Sequence, residues 1–412
     1  MSEDRRHESA EYPAAPKPRE KWSVTTIVLV ILAGLLAFSC LTCVVGGWWV
    51  MRPGKAIPPT DFITEKTQGI VVLRADTENP ALRQFMVYAV DSALKHGVVK
   101  DESARQFLQG IKSQGKSPIP SVTAVGSYAG RSAKDVKAFA ALVLSEMPRL
   151  VRIGLDRSFG KFAKDAGVEE HEGASIVPGN EVAKALNGVE SLPPAVAAIL
   201  DASFVSVSES CMFIGRQKED VRAGLDAFAA PDPGESSQWM FMQLYGQADS
   251  TATIYGALSN EDNLLVAALA PPDRIEEVRE QITSAIFLDP QQVSSIVFSV
   301  TIMSDDDAVV RLSVTGANQE AASQVAAFVQ SLAQANLEAA QKLPLRFVIA
   351  ESQVTDTHYT AMVNVRGVRA LVDQFFAGVA ARQQAPPVAP EPAVPSPDAT
   401  PEAPDEAPAQ NP

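Results

Sequence analysis

VFSVTIMSDDDAVVRLSVTGANQEAASQVAAFVQSLAQANL, residues 297–337, carries the signature of the fold. Apolar residues alternate on both sides of Ser304, Asp305, Asp306 and Asp307, which reads as two strands of a hairpin joined by an acidic turn. Asn318 then stands where a helix N-cap belongs, ahead of an apolar pattern of helical period that runs to Leu337. The unit is strand, turn, strand, helix.

The pattern recurs before and after this stretch. Setting SNEDNLL (259–265) against SDDDAVV (304–310) gives an offset of 45, which pairs TATIYGAL (251–258) with VFSVTIM (297–303) and LLVAALA (264–270) with VVRLSVT (309–315). A helix over Asp273 to Ile286 closes that earlier unit, and a third copy spans 346–379 with its turn at Thr355, Asp356, Thr357 and His358. Three tandem ββα units predict an α+β domain over 235–382, its antiparallel sheet covered by helices.

Residues 67–230 read as a second α+β domain, either a degenerate copy of the first or independent of it. TQGIVVLR (67–74) predicts a strand, and Asn79-Pro80 starts a helix that ends near Gly97. PSVTAVGSYAG (120–130) predicts a strand leading through Ser132 into a helix over AKDVKAFAALVLSEM (133–147). FVSVSES (204–210), CMFIGR (211–216) and QKEDVRAGLDAF (217–228) make another ββα unit.

Ahead of the body, no residue from Trp22 to Met51 is charged. Thirty residues at about 1.5 Å each reach roughly 45 Å, enough to span a bilayer as one transmembrane helix. Trp22 marks one interface, and Trp48 and Trp49 mark the other. A cleaved signal peptide fits poorly, because its apolar core is about 7–15 residues long. Arg5, Arg6, Lys17, Arg19 and Lys21 precede the helix and only Arg52, Lys55 and Lys66 follow it. The N-terminus is therefore expected in the cytoplasm and the body outside it, at a bacterial inner membrane. Ser39, Cys43 and Gly47 share one helix face, which either packs two copies into a homodimer or reflects the ordinary abundance of small residues in such helices.

The head, residues 1–21, balances five acidic against five basic residues and reads as unfolded; 52–66 reads as a Pro-containing linker. The tail, 383–412, is rich in Pro and Ala with five acidic and no basic residues, and reads as disordered. A net charge of −14, most of it on the body, opposes binding to nucleic acid. With its preceding hairpin, the following ββα units and the single anchor, CMFIGRQKEDVRAGLDAF (211–228) resembles uncharacterised single-pass bacterial envelope proteins with repeated ββα ectodomain units. That resemblance implies no catalytic residue.

Few residues of the body carry a recognisable chemical motif. His96, His171 and His358 are the body's histidines, and none lies in a metal-binding spacing. Cys211 is the body's only cysteine and reads as a small buried hydrophobe. Ser113 with Lys116 and Ser158 with Lys161 match S-x-x-K without the partner motifs of an acyl transferase. Gly126 to Ser132 has three residues between its glycines and an Arg where a phosphate loop needs four and a Lys, so it reads as a tight turn. With the units in register, Glu261, Asp262, Asp305, Asp306, Asp307 and Asp356 line one sheet edge. They read either as a hard-cation surface or, as we adopt, as acidic tips that keep strand edges soluble. No metal or cofactor is expected. The sequence predicts a membrane-anchored, extracytoplasmic binding or structural module with an unassigned envelope partner. The alternatives are a tethered hydrolase whose site is assembled from scattered loops, and a scaffold facing the cytosol.

Overall fold

The computed structural model describes residues 57–76, 78–98, 102–114, 121–130, 137–144, 168–187, 200–208, 210–229, 240–260, 264–267, 274–286, 289–334 and 344–384, with Arg157, Phe159, Gly160 and Ala163 besides. The expected span 22–51, with Ser39, Cys43 and Gly47, lies outside them, as do the head, the tail beyond Gln384, Glu261 and Asp262. Among the described residues no helix is long and apolar enough to cross a membrane.

The strands are β1 (Thr67–Asp76), β2 (Ser121–Ala129), β3 (Lys137–Val143), β4 (Glu169–His171), β5 (Ala174–Pro178), β6 (Phe204–Val207), β7 (Cys211–Gly215), β8 (Ile254–Ser259), β9 (Val293–Ile302), β10 (Asp307–Gly316), β11 (Arg346–Thr355) and β12 (His358–Arg366). All pair antiparallel in one sheet of order β11-β12-β10-β9-β8-β1-β2-β3-β7-β6-β5-β4. The helices are α1 (Pro80–Lys95), α2 (Glu102–Gln114), α3 (Gly179–Asn187), α4 (Lys218–Ala229), α5 (Met240–Tyr245), α6 (Leu264–Ala267), α7 (Ile275–Ile286), α8 (Gln319–Ala333) and α9 (Val368–Gln384). The protein is thus α+β, with a large antiparallel sheet.

The sheet repeats its own strand order about a midline. β1 pairs with β8, Val71 opposite Gly256. Outward from that pair run β2, β3, β7 and β6 on one side, and β9, β10, β12 and β11 on the other. Each side therefore places its first three strands in chain order and its last two reversed. The hairpin β4–β5 extends only the first side, where Val177 pairs with Val205 of β6. One continuous sheet runs through both segments that the sequence divides near residue 230.

Local chemistry sets the elements. Asn79 caps α1 by accepting from the Ala81 and Leu82 amides, Pro80 supplies a first-turn residue that needs no N–H, and Gly97 ends the helix region at φ +66°. Asn318 caps α8 in the same way through the Ala321 amide. The two cores lie on opposite faces, because Val297 joins one and its neighbour Ile296 packs against the other. The first core gathers Ile70, Val72, Val125, Phe139, Phe213 and Tyr255 under α4, α5 and the 3₁₀ turn Pro59–Phe62. The second seats Val325 and Val329 of α8 on Val314, Tyr359, Ala361 and Val363.

Three expectations are corrected. Lys137–Val143 is a strand, not a helix: β2 and β7 pair with both its edges, and Phe139, Ala141 and Val143 are buried at a period of two. LLVAALA is not a second strand of a hairpin, since Leu264–Ala267 forms α6. β8 already has β1 and β9 on its two edges, so a following strand finds no edge. The Asn260 side chain fixes the alternative, accepting from the Leu265 amide at 2.8 Å and donating to the carbonyls of Pro290 at 2.8 Å and Val293 at 2.7 Å. Finally, the linker gives way to folded chain by Ile57, for Ile57 packs on the first core and Phe62 is wholly buried within it.

Candidate functional site

The acidic turns do not converge. β9 and β10 turn at 303–306, where Ile302 lies opposite Ala308. β11 and β12 turn at Asp356, where His358 lies opposite Thr315 at the far end of β10. β8 ends with Ser259 opposite Ser295, again at the end away from Asp305. Strands of this length separate the two ends by on the order of 25 Å. The expected common edge of Asp305, Asp306, Asp307 and Asp356 is therefore not formed.

Asp305 and Asp306 hold the start of α9, and Asp307 engages the end of β12. Asp305 pairs with the Arg369 guanidinium. The Asp306 side chain accepts from the Arg369 amide at 3.1 Å, and its backbone carbonyl accepts from the Gly367 and Val368 amides. Asp307 faces Arg366 at 3.5 Å and accepts from the Ser304 hydroxyl. Carboxylates at a helix N-terminus satisfy its free amides and its dipole. No group of three or more His, Cys, Asp or Glu able to hold a metal occurs among the described residues.

Arg369 leads from this turn to a polar cluster between α1 and α9. Its guanidinium lies 5.2 Å from the centre of the Tyr88 ring on α1. Tyr88, Ser92 and His96 recur every four residues and so share one side of α1. Asp373 of α9 meets all three: the Tyr88 hydroxyl donates to it at 2.9 Å, the Ser92 hydroxyl donates to its other oxygen, and His96 Nε2 stands 3.9 Å away. The Ser92 hydrogen bond holds the Asp373 carboxyl below its ordinary range, against the opposing effect of burial and with further help from Tyr88. Burial, reinforced by Asp373, pushes the Tyr88 hydroxyl up to about 12. Beside the cluster is an open groove of about 330 Å³ lined by Arg83, Gln84, Val87, Tyr88, Asp91 and Asp305.

Ser92, Asp373 and His96 are the residue types of a hydrolytic triad in the wrong order. A triad places the imidazole between hydroxyl and carboxylate so that it removes the hydroxyl proton. Here the carboxylate is in the middle, and Ser92 is 3% exposed. The arrangement clasps the first long helix to the last, beside the apolar contact of Ala89 and Ala93 with Val372 and Phe376.

The other sequence candidates are structural or lie elsewhere. Ser113 is exposed, and its hydroxyl donates to the Gly110 carbonyl within α2. Ser158, Lys161 and Lys116 lie outside the described residues. Cys211 is wholly buried, and burial, with the Asp61 charge second, pushes its thiol up to about 12. His171 and Asp226 meet at 2.6 Å, while Glu169 pairs with Arg222 and Lys218, which ties β4 to α4. His358 is exposed at the start of β12. Gly126 lies within β2, so the glycine pair belongs to a strand leaving for a hairpin, not to a phosphate-binding helix start. The clasp residues Tyr88, Ser92, Arg369 and Asp373 escaped sequence reasoning. Their only local trace is the four-residue spacing on α1.

No protein-family model, curated protein or solved structure matches the chain.

Proposed function

We propose that this protein is a membrane-anchored, extracytoplasmic binding or structural module of a bacterial envelope. The anchor is the uncharged stretch 22–51, which gives one transmembrane helix with a face for a second copy at Ser39, Cys43 and Gly47. The observation that carries the reading is how the body spends its polar groups. Asp305, Asp306, Asp373 and Glu169 all engage neighbouring helices, and among the described residues none stands beside an unengaged nucleophile. The repeated strand order supports descent of the two sides from one ββα-rich unit.

Protease added to intact spheroplasts tests the placement. Loss of the body with retention of a membrane-embedded N-terminal fragment is the expected result. A body protected until the inner membrane is permeabilised, or a chain released by alkaline carbonate, overturns it.

A further inference from the structure

We propose that β11 is a self-association edge, pairing antiparallel with β11 of a second copy across a two-fold axis at Val348. The inference goes beyond the envelope reading and does not depend on it.

The two ends of the sheet differ. On the first side the strand corresponding to β11 is β6, and its outer edge is occupied by β5. On the second side β11 is terminal, and among the described residues only β12 pairs with it. It is ten residues long and seven of them are exposed. A free edge of this length presents a row of unpaired amides and carbonyls, usually blunted with Pro, Lys or a bulge. β11 contains no Pro or Lys, and its one irregularity is the bulge at Ala350.

The occupant follows from register. Phe347 and Ile349 lie opposite Val365 and Val363 and pack on the second core. Arg346 and Val348 therefore occupy the other face. A bulge at Ala350 then resets the alternation, so that Glu351, opposite Met362, shares the face of Arg346 and Val348. A two-fold axis at Val348 sets that residue against itself, and Val348 is 51% exposed, one of the exposed large apolar side chains of the body. Phe347 falls opposite Ile349 of the second copy. Arg346 falls opposite the bulge, with Glu351 on the same face, and the symmetry makes this ion pair twice. Neither Arg346 nor Glu351 has an ion pair among the described residues, so both are available. A strand of unrelated sequence gains the backbone pairing but not this charge match.

The test uses the full chain in detergent micelles, with Cys40→Ser and Cys43→Ser in the cross-linking arm. Val348→Cys is expected to give a disulfide-linked dimer on mild oxidation, and Arg346→Glu is expected to weaken association about tenfold by setting like charges opposite each other twice. Arg346→Glu with Glu351→Arg is expected to restore it, which separates charge matching from misfolding. A dimer held only by the transmembrane helix gives no Val348→Cys cross-link and ignores Arg346→Glu. A chain monomeric on its own leaves the edge to another protein's strand. Either result overturns the proposal.

Discussion

Ser92 and Asp373 stand 281 residues apart in the chain, and the Ser92 hydroxyl donates directly to the Asp373 carboxylate. The contact joins a helix of the first side to the last helix of the second, so it closes the fold across both repeats of the strand order. Asp373→Ala leaves the buried Ser92 hydroxyl without its acceptor, and an unsatisfied buried donor costs about 1–3 kcal/mol. Urea denaturation of the full chain in micelles should show a loss of that size. A midpoint unchanged from the wild type would mean that the clasp contributes nothing.

Acid should loosen the same contact. The Asp373 carboxyl is held below its ordinary value, so the folded state binds fewer protons than the unfolded one. Its contribution is therefore fully present above the unfolded value of about 3.9 and is lost as pH falls through the lower folded value. Asp373→Asn removes this titration. Its stability should fall less steeply than that of the wild type between about pH 4 and pH 2, and parallel curves would assign the acid sensitivity to other groups.

The midline of the sheet is tested at Gly256. A Cβ there would stand 2.2 Å from the Ile70 carbonyl oxygen of β1, a backbone atom that cannot step aside. At Gly126, on β2 at the other edge of β1, the nearest atom would be 3.9 Å away. Gly256→Ala should therefore cost about 1–3 kcal/mol or more as overpacking, and Gly126→Ala should be tolerated. Equal effects on thermal unfolding would place the β1–β8 junction elsewhere.

These positions also show what the sequence makes legible. β1, α1, β6, β7, α4 and the run from β9 to α9 follow from alternation and capping, since Asn79, Asn318 and Gly97 act through neighbours in the chain. β3 was hidden because Ala138, Ala140 and Leu142 are apolar as well as Phe139, Ala141 and Val143, and a run that is apolar on both faces has no period to separate strand from helix. The helix at Leu264–Ala267 was hidden for another reason. Whether an apolar stretch after β8 can be a strand depends on both edges of β8 being taken, one of them by β1, nearly two hundred residues earlier. The clasp is equally non-local. Spacing places Tyr88, Ser92 and His96 on one face, but nothing near them names Asp373.

The acidic turn of β9 and β10 makes a distinct prediction, because a cap and a cation site respond oppositely to calcium. Asp306→Ala removes the acceptor of the Arg369 amide and should cost about 0.5–2 kcal/mol, the range for losing an N-cap. Calcium added to the wild type should leave its melting temperature unchanged, because Asp305 and Asp307 already face Arg369 and Arg366. A calcium-dependent rise abolished by Asp306→Ala would restore the cation reading.

Cys211 opens β7 with its side chain wholly inside the first core, and its thiol is pushed up to about 12. Thiolate is the reactive form, so at neutral pH the folded protein presents almost none of it, and what exists is shielded from solvent. Iodoacetamide should leave Cys211 unmodified in the native chain and alkylate it fully in denaturant, as read by peptide mass spectrometry. The protection should weaken in Phe213→Ala, because Phe213 packs with Phe62, Phe139 and Phe228 in the same core, and its truncation costs about 3–5 kcal/mol. Rapid native labelling of Cys211 would show an exposed, activated thiol and return the tethered hydrolase to consideration.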